Sequence, residues 1–114
     1  MQRLFVLTFA AALLVPSVSG ALPNCPSFSC RRVYSCPERV ICRTPDLARL
    51  DCAMAGLYLA LQGAASRKGA RELLESQRDW LADRDSCGCD VRCLYKAYQS
   101  RINAFRLVID AAGE

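Results

Sequence analysis

The chain contains no histidine. It therefore lacks the Ser-His and Cys-His pairs that activate a nucleophile in many hydrolases. Its six glycines are too scattered to form a phosphate-binding loop. Carboxylates at helical spacing, such as Asp79 with Asp83, lie among arginines and suit a solvated helix face better than a hydrolase cleft. These absences predict that the protein is not an enzyme and needs no cofactor.

The chain also lacks a membrane-length apolar segment and any strand pattern. A transmembrane helix needs roughly 20 apolar residues, and the longest such run, residues 4–15, has 12. No segment alternates with a period of two, so no strand is predicted. Beyond residue 21 the chain carries 14 basic and 11 acidic residues. This balance of +3 is too weak and too interspersed to indicate a nucleic-acid partner.

The first 21 residues are typical of a secretory signal peptide. Arg3 precedes the apolar run, and Pro16 leads into small residues ending at Gly20 and Ala21. Three residues separate Ala21 from Cys25, so the cysteine that a bacterial lipoprotein carries next to its cleavage site is missing. We therefore expect one exported domain over residues 22–114 with no membrane anchor. The pattern leaves a periplasmic and a secreted location equally open.

All eight cysteines lie in the exported part, and an even number behind a signal peptide predicts four disulfides. The missing histidine and the absence of paired CxxC motifs argue against a metal site. Cys87 and Cys93 flank a predicted corner, and Cys30 and Cys42 can tie an N-terminal arm to the first helix. Three pairings remain open for the other four, with Cys36–Cys52 the preferred bridge. These are Cys25, Cys36, Cys52 and Cys89.

Capping signals and apolar periodicity predict helices over 36–43, 45–64, 70–85 and 91–111. Ser35, Thr44 and Asp90 each precede a helix as N-caps, and Glu38 completes a capping box with Ser35. Residues 66–69 are predicted as a link. Because each longer helix has an apolar face that it cannot bury alone, the fold is predicted to be all-α. We expect this fold to be a small disulfide-stapled bundle of three main helices plus one short N-terminal helix.

The most distinctive stretch is residues 77–85, on the third helix. Gln77, Trp80 and Arg84 share its apolar face, which predicts core packing for Trp80 and a buried ion pair of Arg84 with Asp51 or Asp85. The tyrosines of the second and fourth helices are expected in the core with their hydroxyls at the surface. They are Tyr58, Tyr95 and Tyr98.

Several motifs, in this order, resemble one known family. Residues 26–30 contain its SF-x-C motif, and residues 38–51 read E-x-x-I-C-x-x-P-x-L-x-x-L-D. Residues 77–88 read Q-R-x-W-L-x-x-R-D-x-C-G, with Tyr58, Tyr98 and the pairs at 93–94 and 101–102 at matching places. The chain thus resembles, over about residues 26–107, the lysozyme inhibitor LprI-like N-terminal domain found in exported bacterial proteins.

The resemblance implies a compact helical fold with disulfides Cys30–Cys42 and Cys87–Cys93, to which this chain adds four further cysteines. It also implies inhibition of a lysozyme by protein–protein binding. Animal-type lysozymes are strongly basic, so an acidic patch near the corner between the third and fourth helices is the candidate contact surface. The patch consists of Asp79, Asp83, Asp85 and Asp90. The alternative is a structural or interaction domain of the cell envelope without lysozyme activity.

Overall fold

A computed structural model describes residues 25–113 as four helices with no strand in that range. The predicted signal peptide at residues 1–21 lies outside the described residues. The helices are α1 (Cys36–Arg43), α2 (Pro45–Ala64), α3 (Arg67–Asp85) and α4 (Val91–Ala112). The all-α prediction is confirmed, and α1 and α2 have the predicted bounds.

Local capping explains where most of the helices begin. Ser35 Oγ accepts a hydrogen bond from the Glu38 backbone N–H at 3.4 Å, and Asp90 Oδ1 accepts one from Cys93 N–H at 3.1 Å. α3 begins three residues earlier than predicted, because Ser66 Oγ caps it by accepting from Gly69 N–H at 3.1 Å. Thr44 precedes α2 without a side-chain cap, contrary to prediction.

The three long helices pack as an up-down-up bundle. α2 and α4 run in the same direction, since Asp51 meets Tyr98 near one end and Tyr58 meets Phe105 near the other. α3 runs antiparallel between two short connections. α4 packs most extensively against α2, and α1 packs on α2. The most deeply buried apolar side chains are Ile41, Leu47, Leu94 and Tyr98.

The four disulfides all lie at the end of the bundle where α2 and α4 begin, which we call the cross-linked end. Bridges join Cys30 to Cys42 and Cys87 to Cys93, the two pairs that the family resemblance implies. The remaining bridges are Cys25–Cys52 and Cys36–Cys89. The opposite end, formed by the α2–α3 link and the last turns of α4, contains no cysteine and is called the open end.

The preferred Cys36–Cys52 bridge is therefore wrong. It would require α1 to lie back along α2 as an antiparallel hairpin. Instead α1 reaches toward the α3–α4 corner, where the Cα atoms of Cys36 and Cys89 are 5.2 Å apart. Cys52 is covered by the N-terminal arm and bonds to Cys25, with a Cα separation of 5.6 Å.

Candidate functional site

A buried polar network crosses the bundle at the cross-linked end. Tyr98, on α4, donates its hydroxyl hydrogen to Asp51 Oδ1 on α2 at 2.7 Å. Arg84, on α3, donates from Nη1 to the Tyr98 hydroxyl oxygen at 3.2 Å. Asp51 is 1% exposed, Tyr98 0% and Arg84 4%. The network therefore joins all three long helices through buried groups.

The N-terminal arm, α1 and the last residue of α3 supply the other contacts of this network. The backbone N–H and the hydroxyl of Ser27, in the N-terminal arm, both donate to Asp51 Oδ2 at 2.6 Å. Arg84 Nη2 lies 2.8 Å from Asp85 Oδ1 and 4.0 Å from Glu38 Oε1 of α1. Asp51 and Arg84 are thus linked through Tyr98, and the predicted ion pair of Arg84 is made with Asp85. The network fixes the arm and α1 against the bundle.

The electrostatic environment keeps Tyr98 protonated and Arg84 charged. Burial and the neighbouring Asp51 carboxylate raise the pKa of the Tyr98 hydroxyl far above its ordinary value, although Arg84 partly opposes them. Burial alone would lower the pKa of the Arg84 guanidinium, but Tyr98 and Asp85 outweigh it and the pKa is raised. The Tyr98 hydroxyl is therefore a stable donor. The prediction that it reaches the surface is wrong, because burial at this crossing leaves no path to solvent.

A second polar cluster lies next to the network, toward the open end. Gln77 Oε1 accepts from Arg101 Nη2 at 2.9 Å and from Nε at 3.1 Å, and Gln77 Nε2 lies 3.1 Å from Met54 Sδ. The Arg101 guanidinium also stacks over the Phe105 ring at 4.4 Å. Trp80 donates its indole N–H to the Ala97 carbonyl at 3.2 Å and packs edge-on against Tyr98. Core packing of Trp80 is confirmed by its 9% exposure.

A cleft of about 390 Å³ opens above the network between the arm, α2 and α3. In the described part of the chain, no buried side-chain N or O atom lacks a hydrogen-bond partner. Residues 25–113 also contain no group of three metal-ligating side chains. The side chains of Asp51, Tyr98, Arg84 and Gln77 thus bond to neighbouring residues and hold the helices together.

The four candidate aspartates are all exposed, but they differ in what they contact. Asp85 is engaged by Arg84, and Asp90 caps α4. Asp79 and Asp83 project from α3 one turn apart, and within residues 25–113 neither carboxylate makes an ion pair. Only these two are available to a partner without cost to the fold.

The cross-linked corner next to these two aspartates is rigidly held. Cys87 and Cys89 flank Gly88, which has φ +60 and is the only residue in the described range at positive φ. Cys87 bonds to Cys93 on α4, and Cys89 bonds to Cys36 on α1. Each side of the turn is therefore anchored to a different helix.

Three contacts of this region do not follow from the sequence patterns. Ser27 lies in the SF-x-C motif but has no pattern that links it to Asp51, 24 residues away. Glu38 is predicted to reach back to its own helix terminus, and it turns toward Arg84. The third contact, between Arg101 and Gln77, has a partial signal in the sequence. Arg101 lies one turn from Tyr98 and Phe105 on the buried face of α4.

The chain matches no protein-family model, no curated protein and no solved structure. Among the described helices, none has the combination of length and hydropathy that crossing a membrane requires.

Proposed function

We propose that this protein is an exported, LprI-like domain that inhibits a lysozyme by binding it, without enzymatic activity of its own. The observation that carries the proposal is the acidic side of α3 beside the cross-linked corner. Asp79 and Asp83 are exposed there and lie four residues apart on one helix face, about 5–6 Å between Cβ atoms. A strongly basic enzyme would be attracted to this surface.

Rigidity of the corner supports the same proposal. The two disulfides that anchor residues 87–89 limit its motion before any partner is bound. A binding surface that is already ordered loses less conformational entropy on association. The acidic side of α3 is thus a pre-organised surface that a basic protein can contact.

Export in an oxidised form is part of the proposal. It is supported by the pairing of all eight cysteines in four bridges, which is typical of oxidising compartments. The apolar segment at residues 4–15, followed by Gly20 and Ala21, supplies the matching export signal in the sequence. The location we propose is therefore the periplasm or the medium.

The test is a lysis assay in which the oxidised protein is titrated against an animal-type lysozyme acting on bacterial cells. We expect stoichiometric inhibition that weakens with salt and is lost on reduction. Absence of inhibition at large molar excess, with the helical circular dichroism spectrum intact, would reject the lysozyme target.

A paired variant tests the surface. Asp79→Lys with Asp83→Lys should raise the inhibition constant about tenfold or more through charge repulsion. The control is Asp46→Lys with Asp110→Lys, which makes the same charge change on exposed residues of α2 and α4. If both variants inhibit equally, the acidic side of α3 is not the contact surface even though the lysozyme target stands.

The alternative function is an interaction domain of the cell envelope that does not contact lysozyme. One observation favours it. The arm and α1 carry four exposed arginines, and their positive charge would repel a basic enzyme.

A further inference from the structure

A loop of five residues is held between two disulfide-bonded cysteines at the cross-linked end. Residues 31–35 connect Cys30, which is bonded to Cys42, with Cys36, which is bonded to Cys89. The Cα atoms of Cys30 and Cys42 are 5.8 Å apart, so the loop starts beside the end of α1 and returns to its beginning. The loop therefore runs alongside α1.

Four arginines of this loop and of α1 form one basic surface, which we call the arginine face. Arg31 and Arg32 are exposed in the loop. Arg39 and Arg43 are exposed one turn apart on α1, on the side opposite the buried Ile41. Arg39 Nη1 donates to the Tyr34 carbonyl at 3.3 Å, which ties the α1 part of the face to the loop part.

The charge of the arginine face is uncompensated. Glu38 is the only acidic residue between 25 and 43, and its carboxylate lies toward the buried Arg84 guanidinium. No ion pair of the described residues includes any of the four arginines. A net positive surface of this kind attracts anions over about a Debye length.

An exposed aromatic ring lies within the arginine face. Tyr34 is 85% exposed, more than any other large apolar residue of the described chain. A tyrosine beside arginines suits the headgroup level of a bilayer, where the ring contacts the acyl boundary and the hydroxyl remains in water. One isolated ring does not provide the successive stacking surfaces that single-stranded nucleic acid uses.

We propose that the arginine face binds the anionic phospholipid headgroups of a membrane surface, with Tyr34 entering the headgroup layer. The binding is peripheral, through a folded loop, and goes beyond the proposed lysozyme inhibition. Each arginine near an anionic surface contributes about a fivefold increase in binding. Four of them together would raise the partition coefficient about 600-fold over a neutral bilayer.

The experiment is vesicle co-sedimentation of the full oxidised chain. Vesicles of phosphatidylcholine mixed with phosphatidylglycerol are compared with vesicles of phosphatidylcholine alone, at low and physiological salt. We expect binding only to the anionic vesicles, with a partition coefficient that falls as salt rises. Equal binding to both compositions, or to neither, would overturn the proposal.

Matched variants distinguish binding through the arginine face from a general effect of net charge. Replacing Arg31, Arg32, Arg39 and Arg43 by Gln should reduce binding to the level seen with neutral vesicles, and Tyr34→Ser alone should reduce it severalfold. The control has the same charge loss at exposed arginines elsewhere, with Gln at 67, 71, 78 and 92. Equal loss in both quadruple variants would overturn the proposal, as would binding to a soluble acidic protein or polyanion in the absence of any binding to anionic vesicles. None of these outcomes depends on lysozyme inhibition.

Discussion

The cross-linked end and the open end of the bundle contain the same three helices but are stabilised differently. At the cross-linked end, four disulfides and the Asp51–Tyr98–Arg84 network join the arm, α1 and the α3–α4 corner. At the open end, a groove of about 390 Å³ remains between the helices, and the exposed Val108 lies on its wall.

This difference follows from how much apolar surface each part can bury. The arm and the eight-residue α1 contribute Pro26, Pro37 and Ile41 as buried residues, too few to hold them without covalent help. The long helices bury continuous faces and need no bridge at the open end. We expect helix ends there to open locally more readily than the corner does.

The largest expected effect is on the free energy of unfolding when one of two bridges at the cross-linked end is removed. Replacing Cys36 and Cys89 by Ala should lower the free energy of unfolding by about 4 kcal/mol, because that bridge closes a loop of 53 residues. Replacing Cys87 and Cys93 should cost about 2 kcal/mol for a separation of 6. Guanidinium chloride unfolding measures both, and equal losses would contradict an origin in loop closure.

Shortening one apolar side chain at each end gives the next effect. Leu94→Ala removes a side chain with 0% exposure at the cross-linked end and should cost about 3 kcal/mol. Val108→Ala, 54% exposed at the open end, should cost less than about 1 kcal/mol. Thermal unfolding with the disulfides intact compares them. A similar cost at both positions would mean that the open end is as tightly packed as the corner.

Tyr98→Phe tests the buried network without changing its shape. Losing the hydroxyl leaves Asp51 and Arg84 each short of one partner and should cost about 1–3 kcal/mol. Tyr34→Phe, at an exposed position, is the control and should cost nothing measurable.

The same residue predicts an alkaline dependence of stability. The pKa of Tyr98 is raised in the folded protein, so above about pH 10 the unfolded chain loses this proton while the folded chain keeps it. The stabilisation is thus complete below about pH 10 and declines as pH rises further. Urea unfolding at several alkaline pH values should show a shallower decline for Tyr98→Phe. An identical slope would show that Tyr98 ionises normally.

The smallest effect compares two glycines. Gly63 lies near the end of α2 with open space where alanine would place its methyl group, so Gly63→Ala should stabilise by about 0.4–1 kcal/mol. Gly88 lies at φ +60 in the corner, so Gly88→Ala should instead lower the free energy of unfolding by about 1 kcal/mol. Melting temperatures of the two variants should move in opposite directions, and a shift in the same direction would contradict this assignment.

Much of the fold could be predicted from local patterns. The bounds of α1 and α2 follow from Ser35 and from the prolines at 37 and 45, which fit the first turn of a helix. The predicted start of α3 is too late because the sequence pattern assigns Ser66 to the link. In the structure, its hydroxyl caps the helix. The sequence also groups Asp85 and Asp90 with Asp79 and Asp83, because spacing along the chain does not reveal which carboxylates the fold already uses.

The sequence by itself determined the helices, their apolar faces and the presence of an oxidised cysteine framework, because helix periodicity, caps and cysteine number are local properties of the chain. Only the tertiary structure decided that Cys36 pairs with Cys89, that Tyr98 stands between Asp51 and Arg84, and that Ser27 closes the network. Those contacts join residues 14 to 53 positions apart, and they depend on how α1 and the arm pack across the end of the bundle.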